Sequence, residues 1–161
     1  MKTLFKLFSL FAISLFIVVA VSSCKKKDNT PPEDPNSPCT PTVVEVTTDI
    51  NTPTLWDACH IYVISVNQIS VSSTLTIEPG TTIKFKEIAG DNAILVANSG
   101  KIMAIGTAAK PIVFTSYKDD THGGDNNADG SASSPARGDW GGIIINSNDC
   151  QIKDKIGRAH V

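Results

Sequence analysis

The fold is decided by the stretch Leu75-Thr-Ile-Glu-Pro-Gly80-Thr-Thr-Ile83, in which two short apolar runs flank a Pro-Gly turn. Just after the turn, Ile83 and Phe85 alternate with the polar Lys84. This alternation is typical of a β-strand with one buried face and one face in solvent. Few segments long enough for a helix show apolar residues at a spacing of about 3.6, so the sequence predicts an all-β domain.

A second stretch repeats this pattern 20 residues further on, in Leu95-Val-Ala-Asn-Ser-Gly100-Lys-Ile102. Gly100 lines up with Gly80 if one residue is allowed to slip. Repeats of about 20 residues with short strands are the signature of β-solenoids. A β-sandwich would favour tight hairpin dipeptides such as Asn-Gly, and none lies between these strands. The Pro-Gly and Ser-Gly corners suit coils that keep advancing in one direction.

Short runs of this kind recur along the chain, at residues 61–64, 68–71, 75–77, 82–85, 94–96, 101–103, 111–114 and 142–145. A single coil cannot bury its apolar side chains, so neighbouring coils must cover them. We expect these inward side chains to stack in ladders: Ile77, Ile83, Phe85, Val96, Ile102 and Phe114. The first coil needs a cap, for which the candidates are Leu55, Trp56 and residues 43–50.

Several longer motifs follow one another in a fixed order: Leu75-Thr-Ile-Glu-Pro-Gly80, Gly100-Lys-Ile-Met-Ala104, Gly106-Thr-Ala-Ala-Lys-Pro-Ile-Val-Phe-Thr-Ser116 and Gly138-Asp-Trp-Gly-Gly-Ile143. Their order and spacing resemble a family of exported right-handed parallel β-helix lipoproteins of Gram-negative bacteria. The resemblance covers roughly residues 43–148. It implies an all-β right-handed parallel β-helix, in which each turn stacks short parallel strands on the turn before. It implies much less about function.

The amino terminus has the features of an export signal. Lys2 and Lys6 precede the 15 residues 7–21, which are apolar apart from two serines. This length is short of the roughly 20 residues that span a bilayer. Val21-Ser-Ser-Cys24 then resembles the lipobox of bacterial lipoproteins. That resemblance implies removal of residues 1–23 and acylation of Cys24; the alternative is an ordinary secretory signal with a chance cysteine.

The residues after Cys24 are expected to form a tether. Residues 24–41 contain few apolar side chains and four prolines between Asn29 and Pro38, so they predict a disordered or polyproline spacer. Two or three acyl chains on Cys24 would anchor the protein stably, because one chain alone binds a membrane only marginally. Lys25-Lys-Lys-Asp28 resembles the charged signals that send some lipoproteins to the outer face. We expect an outer-membrane lipoprotein, on the cell surface rather than the periplasmic face; the alternative for the charges is a solvated tether.

The net charge of the chain without its predicted signal peptide limits the classes of molecule that it could bind. Without Lys2 and Lys6, the 14 basic residues fall to 12 against 16 acidic ones, a net charge near −4 that argues against nucleic acid as a partner.

Export implies an oxidising compartment in which disulfides persist. Cys39 and Cys59 are therefore candidates for a disulfide, the alternative being two unpaired thiols. Cys150 is then left over.

A long acidic loop, residues 117–139, suggests a metal site. Inside it, Asp125-Asn-Asn-Ala-Asp129-Gly130 matches the first half of an EF-hand calcium loop. Side-chain oxygens of Asp125, Asn127 and Asp129 alternate so that they can converge on one cation, and the carbonyl of Ser131 would follow. The sequence therefore predicts a structural calcium on these four residues.

The match to a calcium loop is incomplete. Its twelfth position is Ala136, where a bidentate glutamate is expected. Asp119, Asp120 or Asp139 would have to substitute from outside the motif. The alternative is a solvent loop rich in Asx turns that holds no metal.

No catalytic set is predicted from the sequence. The three histidines, His60, His122 and His160, lack metal-ligand spacing, and there is no nucleophile elbow or phosphate loop. Parallel β-helices do include polysaccharide lyases and glycoside hydrolases, which use paired carboxylates, calcium or basic residues on the outer face of several adjacent coils. The carboxylates of Asp119, Asp120 and Asp139 are the candidates for such a set, although a fold does not imply a function.

The last six residues, 156–161, interrupt the strand pattern and match the translation of a common sequencing adapter. We therefore expect an artefact there, with residues 42–155 holding an N-terminal cap and the first coils of a longer β-helix. The leading functional prediction is a non-enzymatic surface lipoprotein whose β-helix binds a glycan or a cell-surface protein. The alternative is a lipid-anchored polysaccharide lyase or glycoside hydrolase with its active site in further coils.

Overall fold

The computed structural model describes residues 39–88 and 91–157. The signal peptide predicted at residues 1–23, the lipidation site Cys24 and His160 lie outside the described residues. Of the linker predicted at residues 24–41, only the last three residues are described.

Within the described ranges the chain forms fourteen short β-strands. They are β1 (Thr42–Val46), β2 (Thr54–Trp56), β3 (His60–Ile64), β4 (Gln68–Val71), β5 (Thr74–Ile77), β6 (Thr82–Phe85), β7 (Glu87–Ile88), β8 (Asp91–Asn92), β9 (Ile94–Ala97), β10 (Lys101–Ile105), β11 (Ile112–Ser116), β12 (Gly142–Ile145), β13 (Gln151–Lys153) and β14 (Lys155–Gly157). The pairings between them are parallel except for the β7–β8 hairpin. A helix that is long and apolar enough to cross a membrane is not found among these residues.

Three parallel sheets form the walls of the domain. The first sheet has the order β1-β3-β6-β11-β14, the second β13-β10-β5-β2 and the third β12-β9-β4. The chain visits the third, second and first sheets in rotation, through β4, β5 and β6, then β9, β10 and β11, then β12, β13 and β14. Each coil therefore hydrogen-bonds to the coil before it. This architecture is a parallel β-helix and confirms the predicted fold class.

The 20-residue alignment of Gly80 with Gly100 is wrong in register. Leu75 pairs with Ile102, 27 residues further on, rather than with Leu95. Gly80 lies between the second and first sheets and has a φ of +91°, which a side chain would strain. Gly100 lies between the third and second sheets, where an added Cβ would sit 2.2 Å from the carbonyl oxygen of Ser73. Gly80 is needed for its backbone conformation and Gly100 for lack of space, so their 20-residue spacing does not reflect a structural repeat.

The interior is built from one inward row of side chains per sheet. In the first sheet, Ile83 lies between Tyr62 and Phe114 of the neighbouring coils. Burying each large apolar side chain stabilises the fold by about 1.5–3 kcal/mol. The predicted inward residues that lie in this core are Ile77, Ile83, Phe85, Ile102 and Phe114. Val96 is the exception: it lies on the opposite face of its strand from the core residue Leu95.

Aromatic stacking organises the first coil. The rings of Trp56 and Tyr62 stack with centroids 4.7 Å apart, and Trp56 is buried. Val46 and Ile50 also join the core. Leu55 does not cap it, because its side chain points outward and is 54% exposed.

A disulfide joins Cys39 to Cys59, with their Cα atoms 5.6 Å apart. The amide of Thr42 also donates to the carbonyl of Cys59, so the start of the described chain is held at the turn before β3. The thiol of Cys150 is free and accepts a hydrogen bond from the amide of Ile102 at 3.2 Å.

The final described strand continues the coil pattern. Ile156 pairs with Val113, and Gly157 with Phe114, so these two residues extend the first sheet. The expectation that the strand pattern stops before residue 156 is therefore wrong for the backbone. An adapter origin for residues 156–161 stays a prediction.

Candidate functional site

The acidic loop, residues 117–139, folds back over the outer face of the first sheet. Gly123 lies so close to this face that an added Cβ would be 2.9 Å from Cδ1 of Ile61. The outward side chains of the sheet that are no more than 6% exposed are Ile61, Val63, Lys84, Val113 and Thr115. The expectation that Lys84 faces solvent is wrong, because the loop covers the face that strand alternation assigns to it.

Lys84 is completely buried beneath the loop. Its Nζ donates to the carbonyl oxygens of Asp119 and Gly124, each at 2.7 Å. Burial is the largest influence and lowers the pKa of Lys84, while the negative charges of Asp119, Asp120 and Asp125 act to raise it. The loop thus closes around an internal basic group that the sequence analysis did not identify.

Asp119 is a structural acceptor. Its Oδ1 accepts from the amide and hydroxyl of Thr121, and its Oδ2 accepts from Thr115 and from Nδ1 of His122. Burial alone would raise the pKa of Asp119, but these hydrogen bonds outweigh it and hold the pKa well below its usual value. Both carboxylate oxygens therefore already accept hydrogen bonds from the loop or from β11.

Asp139 closes the other end of the loop in the same way. One oxygen accepts from the amide of Ala136 at 2.8 Å, and the other from Nζ of Lys118 at 3.2 Å. Burial acts to raise the pKa of Asp139, but these donors lower it overall. The next residue, Trp140, stacks on Phe85 with ring centroids 4.1 Å apart and fixes this end of the loop to the core.

Three carboxylates come together near the middle of the loop. Asp120, Asp125 and Asp129 each offer one oxygen, and these oxygens lie within 4.8 Å of one another. The Oδ1 atoms of Asp120, Asn126 and Asn127 are buried and have no hydrogen-bond partner among the described residues. Carboxylate and amide oxygens are the ligands that Ca²⁺ takes in proteins. Of the three residues that could replace the missing glutamate, the structure brings Asp120 to Asp125 and Asp129 and leaves acceptor oxygens available there.

The motif itself folds as a series of Asx turns. Asp125 accepts from the amides of Asp129 at 3.2 Å and Gly130 at 2.9 Å. Asp129 accepts from the amide of Ser131 at 3.1 Å and from the side-chain amide of Asn127 at 2.8 Å. Gly130 makes the turn with a φ of +74°. These bonds order the loop and bring three of the predicted ligands together, and they are also what a metal-free loop would use.

The sequence analysis missed Lys84 and Thr115, which attach the loop to the coils, and His122, which bonds to Asp119 within the loop. A signal was present, because Lys84 and Thr115 alternate with core residues on strands that precede a long loop. Nothing in the sequence alone showed that the loop would fold back over them. His60 bonds instead to Asp57, with Nδ1 2.6 Å from Oδ1.

Asp139→Asn is expected to destabilise the protein by about 1–2 kcal/mol at neutral pH, because a buried charge-assisted hydrogen bond is weakened. The pKa of Asp139 is lower in the folded state, so its contribution is present above its ordinary pKa of 3.8 and lost as the pH falls below it. The stability difference from wild type should therefore shrink on acidification.

Denaturant unfolding at several pH values measures this difference. The control is Asp149→Asn, which changes an exposed carboxylate. A difference for Asp139→Asn that stays constant down to about pH 2.5 would show that the charge of Asp139 contributes nothing.

Comparison with known proteins identifies the fold family. A family model described as a pectate-lyase-like β-helix domain matches residues 48–159, which is more than half of the chain. Neither the curated proteins nor the solved structures gave a match. The match agrees with the three-sheet coil seen in the structure, and the chain belongs to the pectate-lyase-like β-helix family.

Proposed function

We propose that the protein is a lipid-anchored lipoprotein of the Gram-negative outer membrane, exposed at the cell surface, whose β-helix binds a glycan or a cell-surface protein without cleaving it. The observation that carries the non-enzymatic role is the state of Asp119 and Asp139. Of the three carboxylates that were candidates for cleavage, these two are buried and hydrogen-bonded to the loop and to β11, so neither presents a free oxygen to a substrate.

The anchor rests on the sequence of the amino terminus. A positive start, a short apolar stretch and Val21-Ser-Ser-Cys24 together favour acylation of Cys24. The proline-rich residues 29–38 would then hold the β-helix away from the membrane. The acidic net charge disfavours nucleic acid as a partner.

A structural calcium ion is the second part of the proposal. Asp125, Asn127, Asp129 and the carbonyl of Ser131 would supply the oxygens predicted from the motif, and Asp120 would replace the missing glutamate. The close approach of three carboxylates and the unpartnered Asp120 Oδ1 support it. Like charges this close repel one another, and a divalent cation would relieve that repulsion.

The second candidate function is a polysaccharide lyase or glycoside hydrolase held by the same anchor. The observation that favours it is the family itself, which is described by its likeness to pectate lyase. A shared fold is compatible with many activities, so this candidate depends on finding a reactive set on the outer faces of the coils.

The two candidates differ in what happens to a glycan. Incubated with a panel of acidic and neutral polysaccharides, the protein should retain at least one on an affinity column and release no new reducing ends or unsaturated sugars. Cleavage of any polysaccharide, abolished by heat denaturation, would replace the binding function with the enzymatic one.

Calcium should order the loop and stabilise the domain. Titration into metal-free protein should change the fluorescence of Trp140 and raise the unfolding free energy by about 2.7 kcal/mol at a hundredfold excess over the dissociation constant. The double variant Asp125→Asn, Asp129→Asn should lose both effects, and Asp149→Asn should keep them. No response of the wild type at millimolar calcium would end the calcium proposal.

Acylation can be followed in cells with labelled palmitate. The wild type should incorporate the label and partition into membranes, whereas Cys24→Ala should do neither, because the thiol that takes the lipid is absent. Cys150→Ala is the matched control and should label like the wild type. Equal labelling of Cys24→Ala would show that the lipoprotein interpretation is wrong.

A further inference from the structure

The buried Lys84 is the basis of a further inference. A charged ammonium removed from water is costly unless its hydrogens find acceptors. Here the ammonium donates to two backbone carbonyls of the acidic loop, at Asp119 and Gly124, each 2.7 Å from Nζ. Lys84 belongs to β6, which precedes these two acceptors by 35 and 40 residues. The side chain therefore joins the loop to a different coil.

Each of the two carbonyls belongs to the residue just before one of the clustered carboxylates. Asp119 directly precedes Asp120, and Gly124 directly precedes Asp125. Holding both carbonyls on one ammonium therefore fixes the backbone just before two of the three clustered carboxylates. The negative charges of these residues also act on the Lys84 ammonium.

We infer that Lys84 is a positioning residue: it is the internal cation on which the acidic loop closes, and it sets the separation of the Asp120 and Asp125 carboxylates. The neighbouring lysines form ion pairs with other residues. Lys86 pairs with Glu45, and Lys118 pairs with Glu87 and Asp139. Only the test by calcium affinity depends on the proposed calcium site.

Other contacts would hold the loop if Lys84 did not matter. Tyr117 donates to the carbonyl of Asn126, and Thr115 donates to Asp119. Both donors lie in the same coil as the loop, at its start. They can order the loop against its own strand, whereas the bond from Lys84 ties it to the preceding coil.

The first test is hydrogen exchange of metal-free protein. Lys84→Met keeps an apolar stem of similar length and removes the ammonium, and it should speed exchange of loop residues 119–131 by about tenfold. Lys101→Met changes an exposed lysine and is the control, which should leave exchange unchanged. Unchanged exchange in Lys84→Met would overturn the inference.

Calcium affinity gives a second test, because a purely electrostatic effect of Lys84 and a positioning effect would change that affinity in opposite directions. Coulomb's law alone predicts tighter calcium binding when a positive charge near the site is removed. Loss of positioning predicts weaker binding, by about tenfold, as for other residues that orient metal ligands. Binding that is tighter or unchanged in Lys84→Met would refute the positioning role. If the wild type binds no calcium, the calcium proposal fails and the exchange comparison still decides the role of Lys84.

A measurement on the unaltered protein covers the case in which Lys84→Met does not fold. Under native conditions an amine-reactive ester should modify Lys84 at least about tenfold more slowly than Lys101 and Lys110, because the loop must open first. Peptide mass spectrometry gives the three rates. Equal rates would overturn the inference.

Discussion

Each coil of this domain depends on the coils before and after it to cover its inner side chains. Parallel hydrogen bonding between successive coils sets that contact, as where Ile83 lies between Tyr62 and Phe114. The register is strict, because a shift of one residue would turn the inward row outward. The sheets therefore tolerate little variation, and changes in length are confined to the corners. The longest such change is the acidic loop.

That confinement explains why the loop folds back onto the first sheet. The loop begins after β11 in the first sheet and must reach β12 in the third sheet. The residues beyond those needed for this connection lie over the outer face of the first sheet. Once that face is covered, its polar residues need partners within the protein. Lys84 finds carbonyl oxygens, and Thr115 finds Asp119. The loop and the sheet thus satisfy each other's polar groups, which makes the loop part of the domain rather than an appendage.

The sequence was sufficient for the fold because strand alternation and apolar runs are local signals. Ile83 and Phe85 could be assigned to the core from their own neighbours. Coil length is not a local signal, so glycines from two different corners, Gly80 and Gly100, could be mistaken for one repeat. The burial of Lys84 was also beyond local reasoning, because it depends on residues 35 and 40 positions away. The motif at Asp125 was local, whereas the choice of Asp120 over Asp119 and Asp139 as the carboxylate that approaches it was not.

The same distinction bears on function. Membership of a pectate-lyase-like family describes how the coils are built, and a fold by itself does not imply a function. Chemistry requires side chains that the fold does not already use. On the loop side of this domain, Asp119 and Asp139 are buried and fully hydrogen-bonded, while Asp120, Asp125 and Asp129 gather where a cation would relieve their repulsion. Any binding or chemistry on this side of the described domain therefore falls to the three clustered carboxylates.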